Sequence, residues 1–149
     1  MKARRQILAA LLVVAAAPAA FAGNKVHRLA LQISDGSPEK MTAVLNVAGN
    51  VARLYAEIGD EVEIRIVAFN AGLNMLRTDK SPVLDRLKSI SESMPNVTFD
   101  ACGNTRDNMA KIEGKKPEEI PLFANATVVK AGVVTLIELS EKGWTIVRP

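Results

Sequence analysis

Short aliphatic runs alternate with helix-patterned segments along this chain, and that order leaves few folds open. Val26-His27-Arg28-Leu29-Ala30-Leu31-Gln32-Ile33 puts Leu29, Leu31 and Ile33 on one face, as a strand does. Ser34-Asp35-Gly36 is a turn, Ser37 suits an N-cap and Pro38 the first helical position, with Glu39 where the helix dipole favours it. Met41, Val44, Leu45, Ala48, Val51, Ala52, Tyr55 and Ile58 recur at spacings of three and four, and Gly59 stops the helix. Val62 to Phe69 alternates at first and is then apolar on both faces, which suits a strand that becomes enclosed between helices. Asn70-Ala71-Gly72 ends it, and a short helical turn runs through Leu73 and Leu76.

Ser81-Pro82 opens a second main helix with Leu84, Leu87, Ile90 and Met94, and Pro95 forbids its continuation. A strand follows at Val97 to Ala101, then a turn at Cys102-Gly103-Asn104. A helix from about Thr105 to Glu113 carries Met109 and Ile112 as its apolar stripe. Residues 114–125 read as a surface connection. Thr127-Val128-Val129 is a fourth strand, and Gly132 to Lys142 the last helix, with Val133, Leu136 and Ile137 inward. Trp144-Thr145-Ile146-Val147 is the final strand.

Strand and helix alternate four times before a closing strand, which implies an α/β protein with a mostly parallel sheet and helices on both faces. Right-handed crossovers then bring every strand-to-helix turn to one edge. The converging turns are Ser34-Asp35-Gly36, Asn70-Ala71-Gly72, Cys102-Gly103-Asn104-Thr105 and Lys130-Ala131-Gly132. Ligands and reactive groups collect at this edge of a parallel sheet.

The first 22 residues have a different character. Lys2, Arg4 and Arg5 precede an unbroken apolar run from Ile7 to Ala16, and Ala20-Phe21-Ala22 has the small-x-small form of a signal-peptidase site. The run is shorter than the roughly 20 residues a membrane-spanning helix needs. We expect cleavage after Ala22, a single domain over residues 23–149, no membrane segment thereafter, and export to the bacterial periplasm. Arg4-Arg5 partly resembles a twin-arginine signal, and also reads as an ordinary basic start.

Without Lys2, Arg4 and Arg5, the 19 basic residues fall to 16 and match the 16 acidic ones. The mature chain is neutral and lacks a basic stripe interleaved with aromatics, so nucleic-acid binding is not expected. One cysteine excludes an internal disulfide, and one cysteine with one histidine argues against a structural zinc site. Neither a P-loop, a dinucleotide fingerprint nor a G-x-S-x-G elbow occurs.

Candidate chemistry centres on Cys102. A thiol just before a helix amino terminus has a route to a lowered pKa through backbone N–H groups and the helix dipole. Arg106 would help if it turned back, and Asp100 would oppose ionisation from the same strand face. Ser34, Asp35 and Asn70 lie at the same edge and could hydrogen-bond a ligand, although such residues also simply make turns. Lys130 could contact an anion. His27 belongs to the opposite edge and cannot serve the thiol as a base. The residues alone leave a second reading open: a non-enzymatic ligand-binding or oligomeric interaction module in which Cys102 only fills space.

The chain resembles the DsrE/DsrF-like family of small sulfur-relay proteins over nearly all of residues 23–149. The likeness lies in Gln32-Ile33-Ser34-Asp35, Val67-Ala68-Phe69-Asn70, Phe99-Asp100-Ala101-Cys102-Gly103-Asn104-Thr105, Leu136-Ile137-Glu138-Leu139 and the tail Gly143 to Pro149. The tail is most similar to exported members. The resemblance implies a three-layer α/β/α fold with a five-stranded parallel sheet, flavodoxin-like or DsrE-like, assembled as trimers or hexamers. It implies that Cys102 accepts and donates a persulfide sulfur between protein partners. The backbone of Gly103, Asn104 and Thr105 would steady the anion, with no cofactor and no metal.

Overall fold

The computed structural model describes residues 25–149, so the export-signal pattern and the Ala22 boundary lie outside the described residues. The elements are β1 (Val26–Ile33), α1 (Pro38–Glu57), β2 (Glu61–Ala68), a 3-10 segment (Asn70–Leu76), α2 (Leu84–Ser93), β3 (Val97–Cys102) and α3 (Gly103–Glu113). A 3-10 turn (Pro117–Glu119), β4 (Ala126–Val129), α4 (Gly132–Glu141) and β5 (Thr145–Val147) complete the chain. The Ser37 side chain accepts from the Lys40 N–H, the cap expected for α1.

All five strands are parallel, in the order β4-β3-β2-β1-β5. The layers are those expected, but the order differs from the 2-1-3-4-5 of flavodoxin. From β1 to β4 each step moves one strand in the same direction, so right-handed crossovers put α1, α2 and α3 on one face. The step from β4 to β5 returns across the whole sheet, and among the described residues α4 lies alone on the other face. Adjacent strand ends that send their chains to opposite faces are those of β3 and β4. The switch point, where such sheets bind ligands, is therefore at Cys102 and Val129.

The main core lies beneath α1 and α2. Leu31, Met41, Leu45, Ile64, Ile66, Leu87 and Phe99 are fully buried there, each contributing about 1.5–3 kcal/mol of apolar burial. A smaller core lies beneath α4, made of Ala30, Val67, Phe69, Cys102, Leu136 and Leu139. Sequence periodicity placed Val133, Leu136 and Ile137 inward; Leu136 is buried, but Val133 and Ile137 are exposed, and Gly132 and Leu139 face the sheet instead. The apolar residues Val133, Val134, Leu136, Ile137 and Leu139 spread over more than one flank of α4, so periodicity could not select the buried one. Ile112 is likewise exposed, and Ala110 takes its place beneath α3.

A buried arginine ties the connection before α2 to the end of α3. The Arg77 Nη1 donates to Glu113 Oε1 at 2.5 Å and its Nη2 to Asp79 Oδ2 at 2.7 Å. Lys80 and Lys115 also reach the Glu113 carboxylate. At the far edge of the sheet, His27 stacks on Tyr55 and its Nε2 lies 3.0 Å from Asp60 Oδ2.

Candidate functional site

β3 runs into α3 without an intervening loop. Cys102 is the last strand residue and the N-cap, so α3 begins at Gly103, two residues earlier than the expected start at Thr105. Gly103 permits this because a Cβ there would lie 2.9 Å from the Val129 carbonyl oxygen. The chain therefore turns tightly against the end of β4, and the Asn104 N–H donates to the Lys130 carbonyl at 3.2 Å.

Cys102 points to the α4 face and is 5% exposed. The Gly132 N–H, at the first residue of α4, donates to its Sγ at 3.2 Å. Burial pushes the thiol up, but hydrogen bonds from the Thr105 hydroxyl, the Gly132 N–H and the Thr105 and Asn104 N–H groups outweigh it. The thiol is held below its ordinary value. Thr105 Oγ1 also accepts the Asn70 N–H at 3.0 Å, so the ends of β2 and β3 meet through it. Asn70 adopts a left-handed conformation with φ 50°, which asparagine tolerates better than most residues.

The structure thus brings Asn70, Cys102, Gly103, Asn104 and Thr105 together. Ser34 follows the end of β1, two strands from β3, and makes no hydrogen bond to these residues among the described residues. Arg106 turns away, its Nη2 donating to the Ile120 carbonyl. Asp100 shares the strand face of Cys102, but Arg65 holds it with Nε and Nη2 at 2.8 and 2.7 Å from Oδ2. Burial raises the Asp100 pKa more than Arg65 lowers it. Gly132 was missed as a donor to sulfur. The available sign was a glycine opening the last helix at the shared edge.

Chemically, this is a buried thiol that accepts the Gly132 N–H and lies beside the amino terminus of α3. Such a site makes a thiolate or another sulfur anion less costly than at an ordinary buried cysteine. Among the described residues there is no cluster of three or more metal-ligating side chains, and no helix long and apolar enough to cross a membrane.

A solved structure, that of the protein of unknown function MTH1491 from Methanobacterium thermoautotrophicum, is similar to this chain. It is 26% identical, with 83% of this chain and 99% of that chain covered and a TM-score of 0.65. No protein-family model matches the chain, and no curated protein matches it.

Proposed function

We propose that this is an exported DsrE/DsrF-like protein that carries sulfur on Cys102. The observation that supports the reading is the Gly132 N–H donating to the Cys102 Sγ at the β3/β4 switch point. The thiolate attacks the outer sulfur of a donor persulfide. A new S–S bond forms at Cys102, the donor S–S bond breaks, and the donor leaves as a thiolate. An acceptor thiolate then reverses the exchange. Oxidation state is conserved, so no cofactor enters. The test is mass spectrometry after incubation with a low-molecular-weight persulfide. The reading expects a single-sulfur adduct that Cys102→Ser abolishes; an unmodified native chain contradicts it.

A second reading has Cys102 as a packing residue in a non-enzymatic module. Its 5% exposure and its contact with Phe69, Leu136 and Leu139 favour that reading. Cys102→Ser then leaves ligand stabilisation unchanged. Assembly into trimers or hexamers belongs to either reading and is supported by the exposed Val133 and Ile137 on α4. Sedimentation of the mature chain tests it, and a monomer at micromolar concentration contradicts it.

A further inference from the structure

Among the described residues α4 is alone on its face, and β4 beside it is left largely uncovered. A groove of about 590 Å³ runs along that flank of α4, within the ~300–1,000 Å³ range of small-molecule sites. It is separate from the Val133 and Ile137 flank. Its apolar lining residues are Val129, Ala131, Val134 and Leu139.

The two ends differ in charge. At the lower end Arg65 is already paired with Asp100, and Glu138 and Lys142 bring opposite charges that form no ion pair among the described residues. At the upper end Lys130 has no ion-pair partner among the described residues. The Asn104 side of α3 and the start of α4 adjoin it, so two helix amino termini add positive potential. A helix of this length spans about 15 Å, enough for an aliphatic body between the two ends.

We propose that this groove binds a small organic monoanion, its carboxylate at Lys130 and Asn104 and its apolar body along Val134 and Leu139. The site takes amphiphilic carboxylates of medium chain length and rejects their neutral isosteres. It adjoins the Cys102 turn but does not depend on sulfur chemistry there.

The test uses octanoate and octanamide, titrated into the isotopically labelled mature chain and followed by amide chemical shifts. Octanoate should shift Val134 and Thr135 saturably, and octanamide should bind at least tenfold more weakly. Lys130→Gln should weaken octanoate at least fivefold and leave octanamide unchanged, while Lys142→Gln has the smaller effect. Cys102→Ser should keep full octanoate affinity, which separates this site from sulfur carriage. Equal binding of acid and amide, shifts elsewhere, no shifts at all, or insensitivity to Lys130→Gln would overturn the proposal.

Discussion

The backbone N–H of Gly132 donates to the Sγ of Cys102 at 3.2 Å, across 30 residues of sequence. The contact joins the end of β3 to the start of the helix that follows β4. Gly132→Ala tests how tight that junction is. An added Cβ would lie 3.2 Å from the Phe69 Cβ and Cδ1 and 3.4 Å from the Cys102 Cβ. We expect a loss of about 1–3 kcal/mol in urea unfolding, the usual range for overpacking. The thiol pKa should rise as α4 moves outward. A variant matching the parent in both would show that the junction has slack.

Thr105 serves two neighbours, accepting the Asn70 N–H and donating towards Cys102. Thr105→Val removes both roles while keeping the shape. The expected loss is about 1 kcal/mol, with a higher thiol pKa. Thr105→Ser should restore most of each. If the serine variant behaves like the valine variant, packing of the methyl group, not the hydroxyl, is responsible.

Acid stability should report on Arg77. Its guanidinium, followed by Lys80 and Lys115, holds the Glu113 carboxyl well below the usual range, and it lowers Asp79 as well. Carboxyls with depressed folded pKa values add stability above their unfolded values of about 4.3 and 3.9. That stability is lost as pH falls through the folded values. Arg77→Met should lower the urea midpoint at pH 7 and flatten its decline between pH 5 and pH 2. An unchanged decline would place the acid sensitivity elsewhere.

Arg65→Gln should produce the opposite pH dependence. It leaves the Asp100 carboxyl unpaired in a nearly closed site. We expect a loss of about 2 kcal/mol at pH 7, below the 3–5 kcal/mol of a fully enclosed pair, because Arg65 is 32% exposed. Burial already raises the Asp100 pKa. A raised folded pKa makes the penalty largest where Asp100 is ionised. The deficit should shrink as pH falls through that value towards the unfolded one, about 3.9. A deficit that is constant with pH would mean that Arg65 acts through packing.

Much of this architecture was legible in the order of apolar patterns. Strand and helix alternation led to the parallel sheet, and the Ser37-Pro38 cap and Gly59 stop bounded α1 closely. Strand order was not legible, because alternation is compatible with several sequences of crossovers. The position of the switch point between β3 and β4 therefore emerged only in three dimensions. Gly103-Asn104 has the chemistry of a turn, but close approach to the Val129 carbonyl makes it the first turn of α3. Ser34 shared the predicted edge with Cys102, yet strand order sets it two strands away. Lateral distance along an edge is not written in local sequence.

The central claim is that Cys102 is an activated thiol and not only a filler of the smaller core. The most direct measurement is the rate of iodoacetamide alkylation of the native mature chain from pH 5 to pH 10, with the urea-unfolded chain as reference. The account predicts a native midpoint below that of the unfolded thiol, about 8.5, with Gly132→Ala and Thr105→Val both moving it upward. A thiol that reacts only after unfolding, or whose native midpoint lies at or above the unfolded one, would contradict it.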